Sequence, residues 1–285
     1  LGEQTPLEPV KVDRRLIQLF LDEDDQTIYE SRSLGIRKIG EVCTPASLVR
    51  EILDLAGYND DIDPERARLI DASCGFGSFM EVSVLRLRNA LIKRGLNPDK
   101  ANDAREIIRN IETRIAGIEL NPAVARRAVV SYLKPLRELI LIVRIVDPQY
   151  FPRPSIYEYD ALSENLIPNT PFDFAVGNPP YVRNRDLPKR YGKRTGRYSA
   201  ATGRFDEYVL FFERAMNWLG EGGCIAYITP DRYLTSGYGA GLRNLLLNST
   251  RISWLVKLPE KTFGLVNTYP MITIATNSMQ ARVRL

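Results

Sequence analysis

The sequence predicts an α/β fold: a doubly wound, mostly parallel sheet with helices packed against it. Three observations predict it. Short apolar runs of strand length alternate with longer segments of helical spacing. The first strand–helix junction, residues 71–77, is a glycine-containing turn. The run Phe172-Asp-Phe-Ala-Val-Gly177 reads as a buried strand and ends at Asn178-Pro179-Pro180-Tyr181. Each of these prolines lacks an N–H and has φ held at about −65°, so a strand cannot continue through them.

The elements follow in order. Residues 1–11 read as a tail, and residues 13–30 as a helix. Together they form an N-terminal helical extension over 1–40, ahead of one domain over 41–285. Thr44-Pro45 looks like a helix start, with Thr44 as N-cap, Pro45 at the first helical position and Leu48, Val49, Ile52 and Leu53 on one face. Gly57 ends that helix. Arg68–Ala72 is the first strand. The turn at Ser73–Gly77 opens a helix that runs to about Gly95, and a second helix covers about residues 99–112. Arg114–Ile118 is the next strand, closed by Glu119, and Asn121-Pro122 opens a further helix. The remaining strands are expected at 155–159, 172–177, 223–229, 252–258 and 270–276, with helices at about 206–219 and 238–248. This makes a sheet of seven strands.

Composition narrows the chemistry. With 44% apolar and 26% charged residues, the 285-residue chain is an ordinary globular composition. Its longest apolar run, Leu139–Val143, is far below the roughly 20 residues needed to span a bilayer. With no visible signal peptide, the expected location is the cytoplasm of a prokaryote. The chain starts at Leu1 rather than Met, which predicts a processed or excised piece. It contains no histidine. That excludes Ser-His-Asp and Cys-His nucleophiles and His-ligated zinc within the chain. Cys43, Cys74 and Cys224 have no metal-ligand spacing and read as reduced thiols, and no metal is expected. The net charge is only +4, but residues 183–204 hold eight Lys/Arg and one acid, Asp186.

The candidate site residues lie at strand ends. Asn178 offers a side-chain amide, Pro179 a carbonyl and Tyr181 a flat ring, a set that can grip a planar group bearing an NH2. The turn Asp71-Ala72-Ser73-Cys74-Gly75-Phe76-Gly77-Ser78-Phe79 lets backbone approach a ligand closely, since glycine has no side chain in the way. It lacks the Gly-Lys-Ser/Thr end of a phosphate-binding loop and the third glycine of the dinucleotide fingerprint. Glu119, at a strand tip, is placed to accept both hydroxyls of a ribose. Asp160 is suited either to accept from an adenine amino group or to serve as an ordinary turn aspartate. The basic run reads as a phosphate-contacting loop or as a solvated surface loop.

In this order, these residues resemble S-adenosylmethionine-dependent amino-methyltransferases. More narrowly, the chain resembles the γ-ordered adenine-N6 DNA methyltransferases of restriction–modification systems, of the Eco57I and TaqI type, from about Gly40 to Thr276. The resemblance implies a Rossmann-like methyltransferase fold, a seven-stranded mostly parallel sheet with helices on both faces. It implies S-adenosyl-L-methionine as cofactor, held by Thr44, Pro45, Asp71, Ala72, Ser73, Cys74, Gly75, Gly77, Phe79, Glu119, Leu120, Asp160 and Ala161. Ala72-Ser73 stands where Pro-Ala is usual, and Ala161 where a larger apolar residue is common. It implies catalysis at Asn178, Pro179, Pro180 and Tyr181, with Phe263 as a second aromatic wall for a base extruded from the duplex. Double-stranded DNA becomes the expected partner, with Arg183, Arg190, Lys193, Arg194 and Arg197 on its phosphates. A recognition domain or specificity subunit is expected to supply sequence preference, since none is evident in this chain. Asn-Pro-Pro-Tyr is shared with release-factor glutamine methyltransferases and nearly so with RNA enzymes. A protein- or RNA-modifying enzyme, or a non-catalytic subunit of the same fold, therefore remains open at this point.

Overall fold

The structure, a computed structural model, describes residues 9–10, 18, 20–21, 43–163, 170–183, 198–263 and 269–278. Of the helix expected over 13–30 only residues 18, 20 and 21 are described, all three helical; the rest of it, and most of the tail before it, lie outside the described residues.

The described chain runs α1 (Ala46–Leu55), β1 (Leu69–Asp71), α2 (Ser78–Lys93), α3 (Ala101–Arg114), β2 (Ile115–Glu119), α4 (Pro122–Leu133), α5 (Arg137–Val146), β3 (Ser155–Glu158) and β4 (Phe172–Gly177). It continues through α6 (Tyr208–Trp218), β5 (Leu219–Pro230), α7 (Ala240–Ser249), β6 (Thr250–Lys257) and β7 (Pro270–Asn277). The strands form one seven-stranded sheet in the order β3-β2-β1-β4-β5-β7-β6. Neighbours from β3 to β5 are parallel, whereas β7 is antiparallel to both β5 and β6.

The alternation of side chains along each strand builds two apolar layers. Leu69, Ile115, Val176, Ala226 and Ile274 face one layer, which is filled by residues of α1 to α5. Their neighbours Ile70, Ala116, Ala175, Ile225 and Ala275 face the other, filled by α6 and α7. A sheet buried on both faces needs strands without a polar side, which is why β4 beyond Asp173 and the second half of β5 read as nearly continuous apolar runs. Leu48, Val49, Ile52 and Leu53 of α1 are all buried in the first layer. Burying each such side chain contributes roughly 1.5–3 kcal/mol.

Three local expectations change. The N-cap of α1 is Pro45, not Thr44: the helix starts at Ala46, with no side-chain cap, and Val49 N donates to the Pro45 carbonyl at 3.0 Å. Residues 137–146 form α5 rather than a bare apolar run. Leu139, Ile140 and Val143 are buried, while exposed Leu141, Ile145 and Val146 mask the amphipathic pattern in the sequence. β5 also begins earlier than expected. Leu219 pairs with Phe172 across a register shift, and the chain bends through Gly222 at φ +73°.

The strand order reverses at β1. The chain moves outward from β1 to β2 and β3, then crosses back to β4 on the other side of β1. The loops that leave the carboxyl ends of β1 and β4 therefore diverge to opposite faces and open a crevice between them.

Candidate active site

Asp71 closes β1 and Gly177 closes β4, so the Asp71–Phe79 turn and the Asn178–Tyr181 loop meet at that crevice. Asp71 is 1% exposed. Its Oδ1 accepts from Ser73 N at 3.0 Å. Burial pushes its carboxyl up to about 7, partly offset by the Ser73 donor and reinforced by the Glu119 charge. Among the described residues no cation pairs with it. Gly177, at φ +148°, lies directly against it: a Cβ there would fall 2.6 Å from Asp71 Oδ1. Glycine is what allows Asp71 and the start of the Asn178 loop to occupy adjacent space.

The glycine turn is fastened to β2. Cys74 N donates to the Ile118 carbonyl at 2.9 Å. Glu119 Oε2 accepts from Gly75 N at 3.1 Å, and Oε1 from Asn121 N at 2.7 Å. Burial raises the Glu119 pKa, while the backbone donors of Asn121, Gly75 and Leu120 oppose that rise. An ionised carboxylate has about four acceptor positions, so each oxygen keeps capacity for a ligand hydroxyl. Gly77, at φ +85°, is the N-cap of α2. A Cβ there would meet Ser131 Cβ at 2.8 Å, and Ser131 Oγ donates to the Phe76 carbonyl at 2.6 Å. Asp160 Oδ1 accepts from Leu162 N at 3.1 Å, shaping the turn after β3.

Asn178 is held from two sides. Its Nδ2 donates to Thr44 Oγ1 at 3.3 Å, and its Oδ1 accepts from the Tyr181 hydroxyl at 2.6 Å. The Tyr181 hydroxyl also lies 3.2 Å from the Ile228 carbonyl. The Tyr181 ring packs edge-on against Tyr208, with centroids 6.3 Å apart, and burial raises its pKa.

These groups border one cleft of about 580 Å³. It brings together Thr44, Asp71, Ala72, Ser73, Cys74, Gly75 and Phe79 with Glu119, Leu120, Asp160 and Ala161, and with the whole loop from Asn178 to Tyr181. Of the expected cofactor residues, Pro45 and Gly77 do not border it; Pro45 caps α1 and Gly77 packs against α4. Phe263 is 9% exposed in the apolar layer of α1 to α5 and does not border the cleft either. Tyr181 is turned inward onto Tyr208 rather than outward as an open platform. Arg183 is exposed and bridges through its backbone to Asp206. Arg190, Lys193, Arg194 and Arg197 lie outside the described residues.

Several wall residues were not singled out from sequence, among them Phe76, Tyr159, Glu207 and Phe211. Glu207 is 7% exposed, and its N donates to the Val182 carbonyl at 2.8 Å. The available signal was an acid directly before the apolar helix Tyr208–Trp218, but no spacing ties it to the Asn178 loop 29 residues earlier.

Residues 144–263 match the Eco57I restriction-modification methylase family. The chain is 32% identical to the type II methyltransferase M.BstVI of Geobacillus stearothermophilus over 248 residues, which cover 84% of this chain and 42% of that protein. It thus spans less than half the length of that relative. Its fold is similar to that of a nuclease-deletion mutant of the type ISP restriction-modification enzyme LlaGI in complex with a DNA substrate mimic, at a TM-score of 0.65 and 19% identity over 91% of this chain and 25% of that one. It is also similar to the M protein of the type I restriction enzyme EcoKI, at a TM-score of 0.57 and 18% identity over 93% of this chain and 53% of that one. The matched segment contains the Asn178–Tyr181 loop and the strands β4 and β5 that carry it, so the candidate site lies in the part of the chain that matches the Eco57I restriction-modification methylase family.

Proposed function

We propose that the chain is the catalytic part of a DNA methyltransferase that methylates N6 of an adenine turned out of the duplex, using S-adenosyl-L-methionine. The observation that carries this reading is the shared cleft: an amide-and-carbonyl loop for an exocyclic amine opens into the same space as a strand-tip carboxylate for a ribose. The match of residues 144–263 to the restriction-modification methylase family supports the reaction class.

The cleft fits the cofactor chemically. Asp71 is a buried acid with no cationic partner among the described residues, and a cationic ligand would relieve it. Glu119 keeps acceptor capacity for a diol, and Asp160 and Leu120 lie beyond it for a base. When bound, the sulfonium group supplies an electrophilic methyl. The residues of the chain do the rest. Adenine N6 is a poor nucleophile because its lone pair is delocalised into the ring. Asn178 Oδ1 and the Pro179 carbonyl each accept one N–H, which favours a pyramidal nitrogen whose lone pair faces the methyl. Both contacts strengthen as positive charge develops on nitrogen, so they stabilise the transition state more than the ground state. Tyr181 contributes its ring to the extruded base once it turns away from Tyr208. The basic residues Arg183, Arg190, Lys193, Arg194 and Arg197 meet phosphates. Target preference comes from a recognition domain or specificity subunit.

Labelled S-adenosylmethionine incubated with unmethylated genomic DNA, RNA or release factor tests the reading. Label on N6-adenine, lost in Asn178→Ala, is the expected result. Transfer to RNA or protein alone would overturn it.

A further inference from the structure

Asn178 can serve an amine only if its amide has one of two nearly isosteric orientations. Oδ1 must face the incoming N–H, because the flipped amide would present a donor to a donor. The backbone does not choose between them, since a half-turn of the amide exchanges oxygen for nitrogen at almost no steric cost. The choice falls to the neighbours of the amide.

Those neighbours are two hydroxyls of different character. On one side lies Thr44 Oγ1, 3.3 Å from Nδ2; on the other lies the phenol of Tyr181, 2.6 Å from Oδ1. The distances differ as the chemistry requires. The short one lies within the O–H···O range, which an N–H donor does not reach, and the longer one is a weak contact just past the usual N–H···O range. A phenol is the stronger donor and the weaker acceptor, because its lone pair is shared with the ring. An aliphatic hydroxyl is the better acceptor. The pair therefore favours Nδ2 toward Thr44 and Oδ1 toward Tyr181. Thr44 is 6% exposed, so water does not readily replace it at Nδ2. Its hydroxyl does not cap α1, where Pro45 is the N-cap and no side chain bonds the first turn.

We propose that Thr44 is a positioning residue: its hydroxyl fixes the orientation of the Asn178 amide across 134 residues of chain, so that Oδ1 faces the reacting amine. The Tyr181 hydroxyl occupies the place of the substrate N–H until the substrate displaces it. The proposal rests on the amine-methylating reading of the site, but it makes a statement about the free protein that can be judged separately.

Thr44→Val removes the hydroxyl and keeps the shape, Thr44→Ser restores it, and Thr44→Ala stands in should the valine pack badly. The first readout is the side-chain amide pair of Asn178 in the ¹⁵N spectrum of the ligand-free chain, assigned by its loss in Asn178→Ala. Thr44→Val should move the Nδ2 protons upfield, and Thr44→Ser should return them. The second readout is methyl transfer to unmethylated genomic DNA beside equilibrium binding of S-adenosylmethionine. Thr44→Val should lower the transfer rate by about five- to tenfold, the size of one missing neutral hydrogen bond. With the cofactor at saturation for each protein, Thr44→Ser should recover most of the rate. An unmoved Asn178 pair in Thr44→Val would overturn the proposal. So would a rate at saturating cofactor that Thr44→Ser leaves as low as Thr44→Val does. If the unmodified chain transfers methyl to RNA or protein and not to DNA, the functional reading fails, and the Asn178 spectrum still decides the role of Thr44.

Discussion

Asp71→Asn should make the chain more stable at pH 8 and leave it nearly unchanged at pH 4. Asp71 is 1% exposed, accepts one backbone hydrogen bond and sits near the charge of Glu119. Burial is the main cause of its rise from an ordinary value of 3.8 to about 7. The sign follows from proton counting. Between pH 3.8 and about 7 the folded chain keeps a proton that the unfolded chain has released. Stability therefore falls as pH rises through that window and levels off above it. A gap of about three pH units, at about 1.36 kcal/mol each, makes the ionised side chain cost up to about 4 kcal/mol above pH 7. Asparagine keeps the acceptor for Ser73 N and removes the charge. Urea unfolding of both proteins from pH 4 to pH 8 measures the difference directly. The gain in Asp71→Asn should grow from near zero to about 2–4 kcal/mol across the window, the lower figure allowing for relaxation around the charge. Glu119 also titrates upward, and its coupling to Asp71 leaves a small part of its titration in the difference. A difference flat with pH would refute the reasoning, because it would place the Asp71 pKa at its ordinary value in the fold. The same linkage predicts that a cationic ligand binds more tightly as pH rises through about 7, with proton release on binding.

Four further outcomes are expected. Gly177→Ala places a methyl 2.6 Å from Asp71 Oδ1 at φ +148°, and should cost about 1–3 kcal/mol in chemical unfolding and abolish transfer by displacing Asn178. Glu119→Ala should weaken S-adenosylmethionine binding by about 100-fold in calorimetry, since hydrogen bonds to a charged acceptor are each worth about 1.5–3 kcal/mol. Tyr181→Phe keeps the ring and frees Asn178 Oδ1; it should retain transfer activity, whereas Tyr181→Ala should lose about 1–3 kcal/mol of stacking, read as a raised KM for DNA. Replacing Arg190, Lys193, Arg194 and Arg197 together should flatten the salt dependence of DNA binding by about 0.9 for each phosphate that is no longer neutralised, and an unchanged slope would remove that loop from the interface.

Local chemistry along the chain was enough to predict the sheet and most of the cleft. The strands are short apolar runs interrupted by glycine or proline, and this punctuation survives any tertiary context because it is set by backbone sterics. The prolines after Asn178 stop β4, and Pro122 starts α4 whatever packs around them. The Asp71–Phe79 turn, Glu119 and the Asn178 loop were legible for the same reason: each is tied to the end of a strand, and strand ends on this topology converge at the switch point. What faces what emerged only in the folded molecule. Phe263 is as apolar as a base-stacking wall would need to be, and that it lies in the layer of α1 to α5 is visible only in the fold. α5 was hidden by three exposed apolar residues on its outer face. Glu207 reaches the cleft because α6 packs beneath the Asn178 loop, an arrangement with no trace in local spacing. Thr44 read as a helix cap from its neighbours, yet its hydroxyl meets an amide 134 residues away. Neighbouring residues fix the dihedral angles of a turn or a cap. A meeting of distant segments depends on how layers stack, and that is settled by the whole core at once.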